Sequence, residues 1–301
     1  MKKIISLIAT IMISTLLLSA CSGGDDSKEV TVGAKNFTEQ FLLAKMTELV
    51  LEENGYTVDM KDNLGSSALR KALENGQVDI TWDYTGTGLV TYNGEEPIAN
   101  KQEAFETIKE IDKENGITWT NISDINNTYT LVMRQEQADK LGIETISDLA
   151  EYVNSHPGEL KMATDAEFAN RADGLPGVLE TYGFEFGKDQ VVSMTYGLNY
   201  EALNNEEVDV AVGFSTDSRI REFNLVSLKD DKEFFPSYNA AMSMTTEVYE
   251  KYPEIEEIFK PLSEALDSQT MIELNYQVDV EERSVTDVAE EYLINNGFLE
   301  E

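Results

Sequence analysis

Residues 72–87 read ALENGQVDITWDYTGT, and this stretch decides how the chain is read. ALENG ends a helical pattern on glycine, and VDITWD is a β-rich run bounded by turn residues. An aromatic, Tyr84, then runs straight into threonine and glycine, which are poor core residues. The same succession returns at residues 202–217, ALNNEEVDVAVGFSTD, which align with the first stretch without a gap. Ala, Leu, Asn, Val and Asp are identical at 72/202, 73/203, 75/205, 78/208 and 79/209, while Tyr84 falls on Phe214 and Thr85 on Ser215. Helix-turn-strand grammar alone accounts for identities of this kind. It does not require a matched aromatic at the carboxyl end of each strand.

Outward from this pair, short β-rich runs alternate with amphipathic helical segments. Strands are predicted at 29–34, 57–60 and 78–83, with helices at 38–55 and 66–76 between them. The pattern continues with β-rich runs at 128–133, 160–164, 208–213 and 225–228 and a helical segment at 146–153. The last third is mainly helical from Glu247 on, including 286–297. Such alternation indicates an α/β protein built from βαβ units, with mostly parallel sheets flanked by helices. The length suits two lobes, and with no Pro-, Gly- or Ser-rich linker between them the crossings must be short. In open α/β sheets ligands bind outside the carboxyl ends of the strands. Two facing lobes therefore put Tyr84 and Phe214 on opposite walls of one cleft. Thr85 or Thr87, and Ser215 or Thr216, are predicted to cap helices that follow these strands, offering free N–H groups to an anionic end of a ligand.

The amino terminus carries Lys2 and Lys3, an apolar run from Ile4 to Leu18, and the sequence Leu18-Ser19-Ala20-Cys21. A short basic region, an apolar core of that length and a small-residue exit describe a secretory signal over residues 1–20 rather than a spanning helix. The Leu-Ser-Ala-Cys ending resembles the lipobox of bacterial lipoproteins. That resemblance implies cleavage before Cys21 and a diacylglyceryl thioether on its sulfur, followed by a flexible tether over 21–28. The bland alternative is a secreted protein with one stray cysteine. Cys21 is the only cysteine, so no internal disulfide is available.

With 57 acids against 23 bases, the formal charge of −34 argues against nucleic acid and against a basic membrane-binding face. An acidic solvated surface explains most of these carboxylates. No enzyme constellation is present in the sequence. His156 is the sole histidine and sits in a loop-like stretch, and no nucleophile elbow, phosphate loop, dinucleotide fingerprint or His/Cys metal cluster appears. The chain is therefore read as a non-enzyme without metal or cofactor. What stands out is aromatics and cations at element ends: Tyr84, Tyr129, Phe214 and Tyr238, with Lys35 after the first strand and Arg171 in a loop. Taken singly, each ring has core packing as an alternative, and Trp82 is assigned to packing.

GAKNFTEQ (33–40), NLGSSALRKAL (63–73), DYTGTGL (83–89), NNTYTLVM (126–133), FANRADGLPG (168–177), FSTDSRI (214–220), LKDDKEFFPSYN (228–239) and ELNYQVD (273–279) together resemble one family. It is that of the quaternary-amine substrate-binding proteins of ABC importers, whose members take up glycine betaine, choline and related compatible solutes. The resemblance runs from about Val30 to Phe298. It implies a two-lobed, type II periplasmic-binding-protein-like fold, with lobe I over 29–126 and 239–301 and lobe II over 127–238. It implies an aromatic box of Tyr84, Tyr129, Phe214 and Tyr238 around a trimethylammonium group, with Phe214 where tyrosine is usual. Carboxylate partners would be Lys35, Thr87 and Arg171, and the Asn127 carbonyl would face the cationic head. Partners implied are an ABC permease and ATPase, with the chain held on the extracytoplasmic side of the cell membrane through a lipid on Cys21.

The chemistry is consistent with that assignment. A quaternary ammonium has no N–H to donate, so ring faces recognise it, at roughly 0.5–2 kcal/mol each. A carboxylate at the other end calls for charge-assisted donors. A betaine zwitterion, glycine betaine first, is the expected ligand, with choline, carnitine or ergothioneine as alternatives. A sensory or adhesive surface lipoprotein on the same fold is the reading from another class.

Overall fold

Ten strands form two five-stranded sheets in the computed structural model, which describes residues 28–300. The signal read over 1–20 and the lipidation site Cys21 lie outside the described residues. So does the tether, except Lys28, which already belongs to a strand. The chain first lays down β1 (Lys28–Lys35), β2 (Tyr56–Leu64), β3 (Ile80–Tyr84) and β4 (Ile117–Thr120). It then forms β5 (Tyr129–Arg134), β6 (Met162–Thr164), β7 (Val191–Ser193), β8 (Val210–Phe214) and β9 (Leu225–Ser227) before returning for β10 (Ala240–Thr245). The sheet orders are β2-β1-β3-β10-β4 and β7-β6-β8-β5-β9.

Both sheets are mixed in the same way. In the first, β1 pairs in parallel with β2 and β3, and β10 pairs antiparallel with β3 and β4. In the second, β6 pairs in parallel with β7 and β8, and β5 pairs antiparallel with β8 and β9. Four strands of each sheet thus share a direction, and the opposed one is the first strand formed after a crossing. The expectation of mostly parallel sheets holds in direction, while half of the pairings are antiparallel.

β3 and β8 are the central strands of their sheets, so the sequence echo falls on equivalent positions. Its identities have a physical cause. Asn75 and Asn205 follow helices Ser66–Glu74 and Leu198–Asn204, and the next residues, Gly76 and Glu206, adopt φ of +63° and +61°. Glycine takes that conformation freely; Glu206 does so at about 1–2 kcal/mol. The turn closes alike in both, with Val78 N donating to Ala72 O and Val208 N to Ala202 O. Asp79 accepts from Thr31 N at 2.7 Å and Asp209 from Lys161 N at 2.9 Å, each tying the central strand to its parallel neighbour.

Helix Thr38–Glu53 buries Leu42, Leu43, Met46, Val50 and Leu51, a 3.6-period stripe laid on the first sheet. Each such side chain contributes roughly 1.5–3 kcal/mol. Helices Ser268–Asp279 and Val285–Asn295 pack against it. Trp82 is a core residue as expected, 1 % exposed, and donates Nε1 to Thr47 Oγ1 at 2.9 Å. Among the described residues no helix is long and apolar enough to cross a membrane.

The predicted caps do not form. β3 leads into a short π-helix, Thr87–Tyr92, preceded by Gly86, and β8 into the single turn Arg219–Glu222, preceded by Ser218, neither with a side-chain cap. The hydroxyls are used elsewhere: Thr85 donates to Ser237 O and Ser215 to Asn126 O, at 2.9 and 3.0 Å. Both bonds tie a strand end to a crossing segment, a tertiary demand that outweighs local capping.

Candidate ligand site

A cavity of about 460 Å³ opens where the carboxyl ends of β1, β3, β6, β7 and β8 face one another. Lys35, Tyr84, Thr87, Asn127, Tyr129, Arg171, Phe214 and Tyr238 all line it. Every residue singled out from the sequence as a ligand contact is thus brought to one place. His156 is not: it follows helix Ile146–Ser155 and stacks on Tyr152, with ring centroids 4.3 Å apart.

Strand register sets the rings. Tyr129 is the direct cross-strand partner of Phe214, and their centroids are 4.8 Å apart. Tyr238 meets Tyr129 edge-on at 5.6 Å. Two further rings complete the wall. Phe37 lies 5.1 Å from Phe214 and 6.2 Å from Tyr84, and Tyr196 lies 4.8 Å from Phe214. Phe37 carried a signal, standing two residues after Lys35 within GAKNFTEQ. Tyr196 carried none, because it follows a three-residue edge strand whose place depends on the sheet. Gly86 makes room for the Tyr238 ring: a Cβ there would stand 2.8 Å from Tyr238 Cδ1 and 2.9 Å from Ser237 O. The other glycine of the motif, Gly88, instead admits Ile108 and Trp119 of the core.

The cations are present, but each already holds carboxylates of the protein. Lys35 Nζ donates to Asp83 Oδ1 at 2.6 Å, both side chains about 4 % exposed, and sits 5.0 Å from the Tyr84 ring centre. Arg171 forks onto Asp173 through Nε at 2.8 Å and Nη2 at 2.6 Å, and reaches Glu167 through Nη1 at 2.9 Å. Its guanidinium also lies 5.3 Å from the Tyr129 ring centre. Sequence reasoning missed all three acids. Burial raises Glu167, but Lys35 and Arg171 outweigh it and hold the carboxyl below its ordinary range. Asp173 is likewise held low by Arg171 against its burial. Asp173 also accepts from Tyr238 Oη at 2.6 Å, so one carboxylate fixes both a cation and a ring of the cavity wall.

Donor capacity remains for a ligand. Lys35 has three N–H bonds and spends one on Asp83. The Thr87 hydroxyl accepts from Arg171 Nη2 at 3.3 Å, leaving its own hydrogen free. That contact joins the two walls, as do Ser66 N to Glu167 at 3.3 Å and Thr91 to Asp173 at 3.4 Å. All three are long for hydrogen bonds. Among the described residues no three His, Cys, Asp or Glu side chains are grouped to hold a metal ion.

Residues 28–295 match the family described as the substrate-binding domain of ABC-type glycine betaine transport systems. The chain is 39 % identical over 285 residues to a glycine-betaine-binding protein of Pseudomonas aeruginosa, covering 93 % of this chain and 92 % of that one. It is 36 % identical to a carnitine transport binding protein of Listeria monocytogenes, covering 99 % and 98 %. A solved glycine betaine/carnitine/choline ABC transporter structure superposes with a TM-score of 0.71 at 34 % identity, covering 89 % of this chain and 99 % of that one.

Proposed function

Because this chain belongs to the family of substrate-binding domains of ABC-type glycine betaine transport systems, and so is a solute-binding component rather than an enzyme, we propose that its cleft captures a trimethylammonium zwitterion, glycine betaine foremost. The observation that carries this reading is the convergence of rings from both sheets on one cavity, with cationic donors beside them. Tyr84, Tyr129, Phe214 and Tyr238 face the methyl groups, while Lys35, Thr87 and Arg171 meet the carboxylate. Phe214 supplies a ring face and no hydroxyl, which suits a head group that accepts no hydrogen bond. Four faces at roughly 0.5–2 kcal/mol each give several kcal/mol, before any apolar burial.

Since the walls contribute contacts from both sheets, a ligand bridging them favours the closed form by its differential affinity. Lobe I over 29–126 and 239–301 and lobe II over 127–238 are the bodies that close. Uptake then passes through the permease and ATPase of the ABC system. A lipid on Cys21 would hold the protein on the extracytoplasmic face. The Leu-Ser-Ala-Cys sequence supports this, and cells fed a labelled fatty acid should label the parent but not Cys21→Ala; no label on the parent would refute the anchor.

A second reading is favoured by one specific feature. Asp83, Asp173 and Glu167 outnumber the two cations they hold, which suits a ligand with a positive end and no carboxylate, such as choline. Calorimetric titration of protein lacking Cys21 with glycine betaine, choline, carnitine and ergothioneine decides among these. Glycine betaine binding tightest supports the zwitterion reading, choline tightest supports the second, and no heat from any of the four overturns both.

A further inference from the structure

We infer that Glu39 stands as a neutral carboxylic acid beneath the cavity, and that its proton, donated to the Asn127 side chain, positions Tyr84 and Asn127 for the ligand. The importance of those two residues rests on the site proposed above; the protonation itself does not.

Glu39 lies in the first turn of helix Thr38–Glu53 and is 2 % exposed. Its Oε1 accepts from Tyr84 Oη at 2.6 Å and from Asn127 Nδ2 at 2.9 Å. Among the described residues its Oε2 has no hydrogen-bond partner, and neither has Asn127 Oδ1, itself buried. Both atoms are acceptors of groups already joined through their other atoms. Turning the Asn127 amide over would place Oδ1 against Oε1 and lose the existing bond. One proton on Oε2 resolves both vacancies, because a carboxylic acid and a primary amide close a cyclic pair of bonds, N–H to carbonyl and O–H to carbonyl. An ionised Glu39 would leave two buried acceptors unsatisfied, one of them charged, which native interiors avoid.

The charged neighbours lead to the same conclusion. Glu39, Asn127, Tyr196, Asp217, Arg219 and Asp279 surround a second, much smaller void. The cation there, Arg219, is committed to Asp217 through Nε at 2.9 Å and Nη2 at 2.6 Å, with Asp279 a further 3.6 Å contact. Lys35 is committed to Asp83. Among the described residues no cation bonds Glu39, and burial raises its carboxyl above the ordinary value. Bonds from Tyr84 and Asn127 and the nearby Thr216 hydroxyl offset part of that rise, and Asp217 adds to it. The helix amino end favours the anion, but among the described residues no donor forms a hydrogen bond to Oε2. The void measures about 10 Å³, at the lower limit for one water.

The sign follows. A carboxyl raised in the folded, ligand-holding form keeps its proton at pH values where an exposed one has lost it. Its contribution is complete below the unfolded value of about 4.3 and is lost as pH rises through the folded value. Infrared difference spectra of the parent against Glu39→Gln give the ligand-independent readout. A protonated carboxyl band should persist at neutral pH in the parent and be absent from the variant. If the variant does not fold, carbon-13 titration of the glutamate δ-carboxyls in the parent should show one that keeps its proton at pH values where the exposed glutamates have ionised. Glycine betaine titrations across pH form the second arm. The parent's dissociation constant should rise with pH, by up to about tenfold per unit, while that of Glu39→Gln stays flat. Absence of the protonated carboxyl at neutral pH, as a donating water would give, overturns the inference, as does the same pH slope in both proteins. A protonated carboxyl without betaine binding at any pH removes the ligand reading and leaves the proton in place.

Discussion

Replacing Lys35 alone cannot reveal whether it meets a ligand carboxylate, because it is half of a buried ion pair. Lys35→Met strands Asp83, which would keep only the Tyr92 hydroxyl at 2.9 Å and the Tyr84 N–H at 2.7 Å. Breaking one side of a buried pair costs about 3–5 kcal/mol. It also leaves the cavity one charge more negative, which penalises any carboxylate and favours any cation without a contact being involved. The double variant Lys35→Met/Asp83→Asn removes both charges and leaves the net charge of the site unchanged. Its stability should return to within about 1 kcal/mol of the parent, since a neutral pair of similar volume commonly replaces a buried ion pair at little cost. Denaturant unfolding of the parent, both single variants and the double variant gives the coupling between the two residues.

Ligand affinity of the double variant then isolates the contact. A charge-assisted hydrogen bond is worth about 1.5–3 kcal/mol, so glycine betaine should weaken roughly 10- to 150-fold by calorimetry. Choline, which has no carboxylate, should change by less than about threefold. Betaine held as tightly by the double variant as by the parent would remove Lys35 from the ligand's carboxylate. A single Lys35→Met variant as stable as the parent would refute the buried pair.

Two further outcomes follow from packing and charge. Gly86→Ala drives a methyl against the Tyr238 ring and Ser237 O, and Asp173 holds that ring by its hydroxyl. Overpacking of this kind costs about 1–3 kcal/mol in thermal or denaturant unfolding, and betaine binding should weaken with it; unchanged affinity would place Tyr238 outside the box. Asp112, fully buried, accepts a fork from Arg70 at 2.7 and 2.8 Å and a bond from Trp119 Nε1 at 2.7 Å, so Asp112→Asn should cost about 3–5 kcal/mol. Burial works against this carboxylate, but Arg70 outweighs it and lowers its pKa. Its contribution is therefore present above the unfolded value of about 3.9 and lost as pH falls through the folded one, so the acid slope of unfolding should be shallower in Asp112→Asn. Equal slopes would refute the assignment.

The rings of the cleft were legible because strands carry their own punctuation. The succession Asn75, Gly76, Val78, Asp79, Tyr84 and its echo fix where each central strand starts and stops, and the sheet delivers whatever residue ends it to the cleft. The acids were not legible. Asp83 is one of 57 acids, and it meets Lys35 only through the register of β1 on β3, in which Gly33 faces Thr81. Arg171 meets Glu167 at the i,i+4 spacing of one helical turn and Asp173 two residues on, but that turn is too short to show in the sequence pattern. A cation buried alone costs several kcal/mol, so a dry cleft that carries Lys35 and Arg171 must also carry their counter-charges. Beyond the one acid in excess, the paired charges of such a site say little about its ligand. Selectivity falls instead to the donors still unspent, the remaining N–H bonds of Lys35 and the Thr87 hydroxyl, and to how far the rings hold the ligand from them.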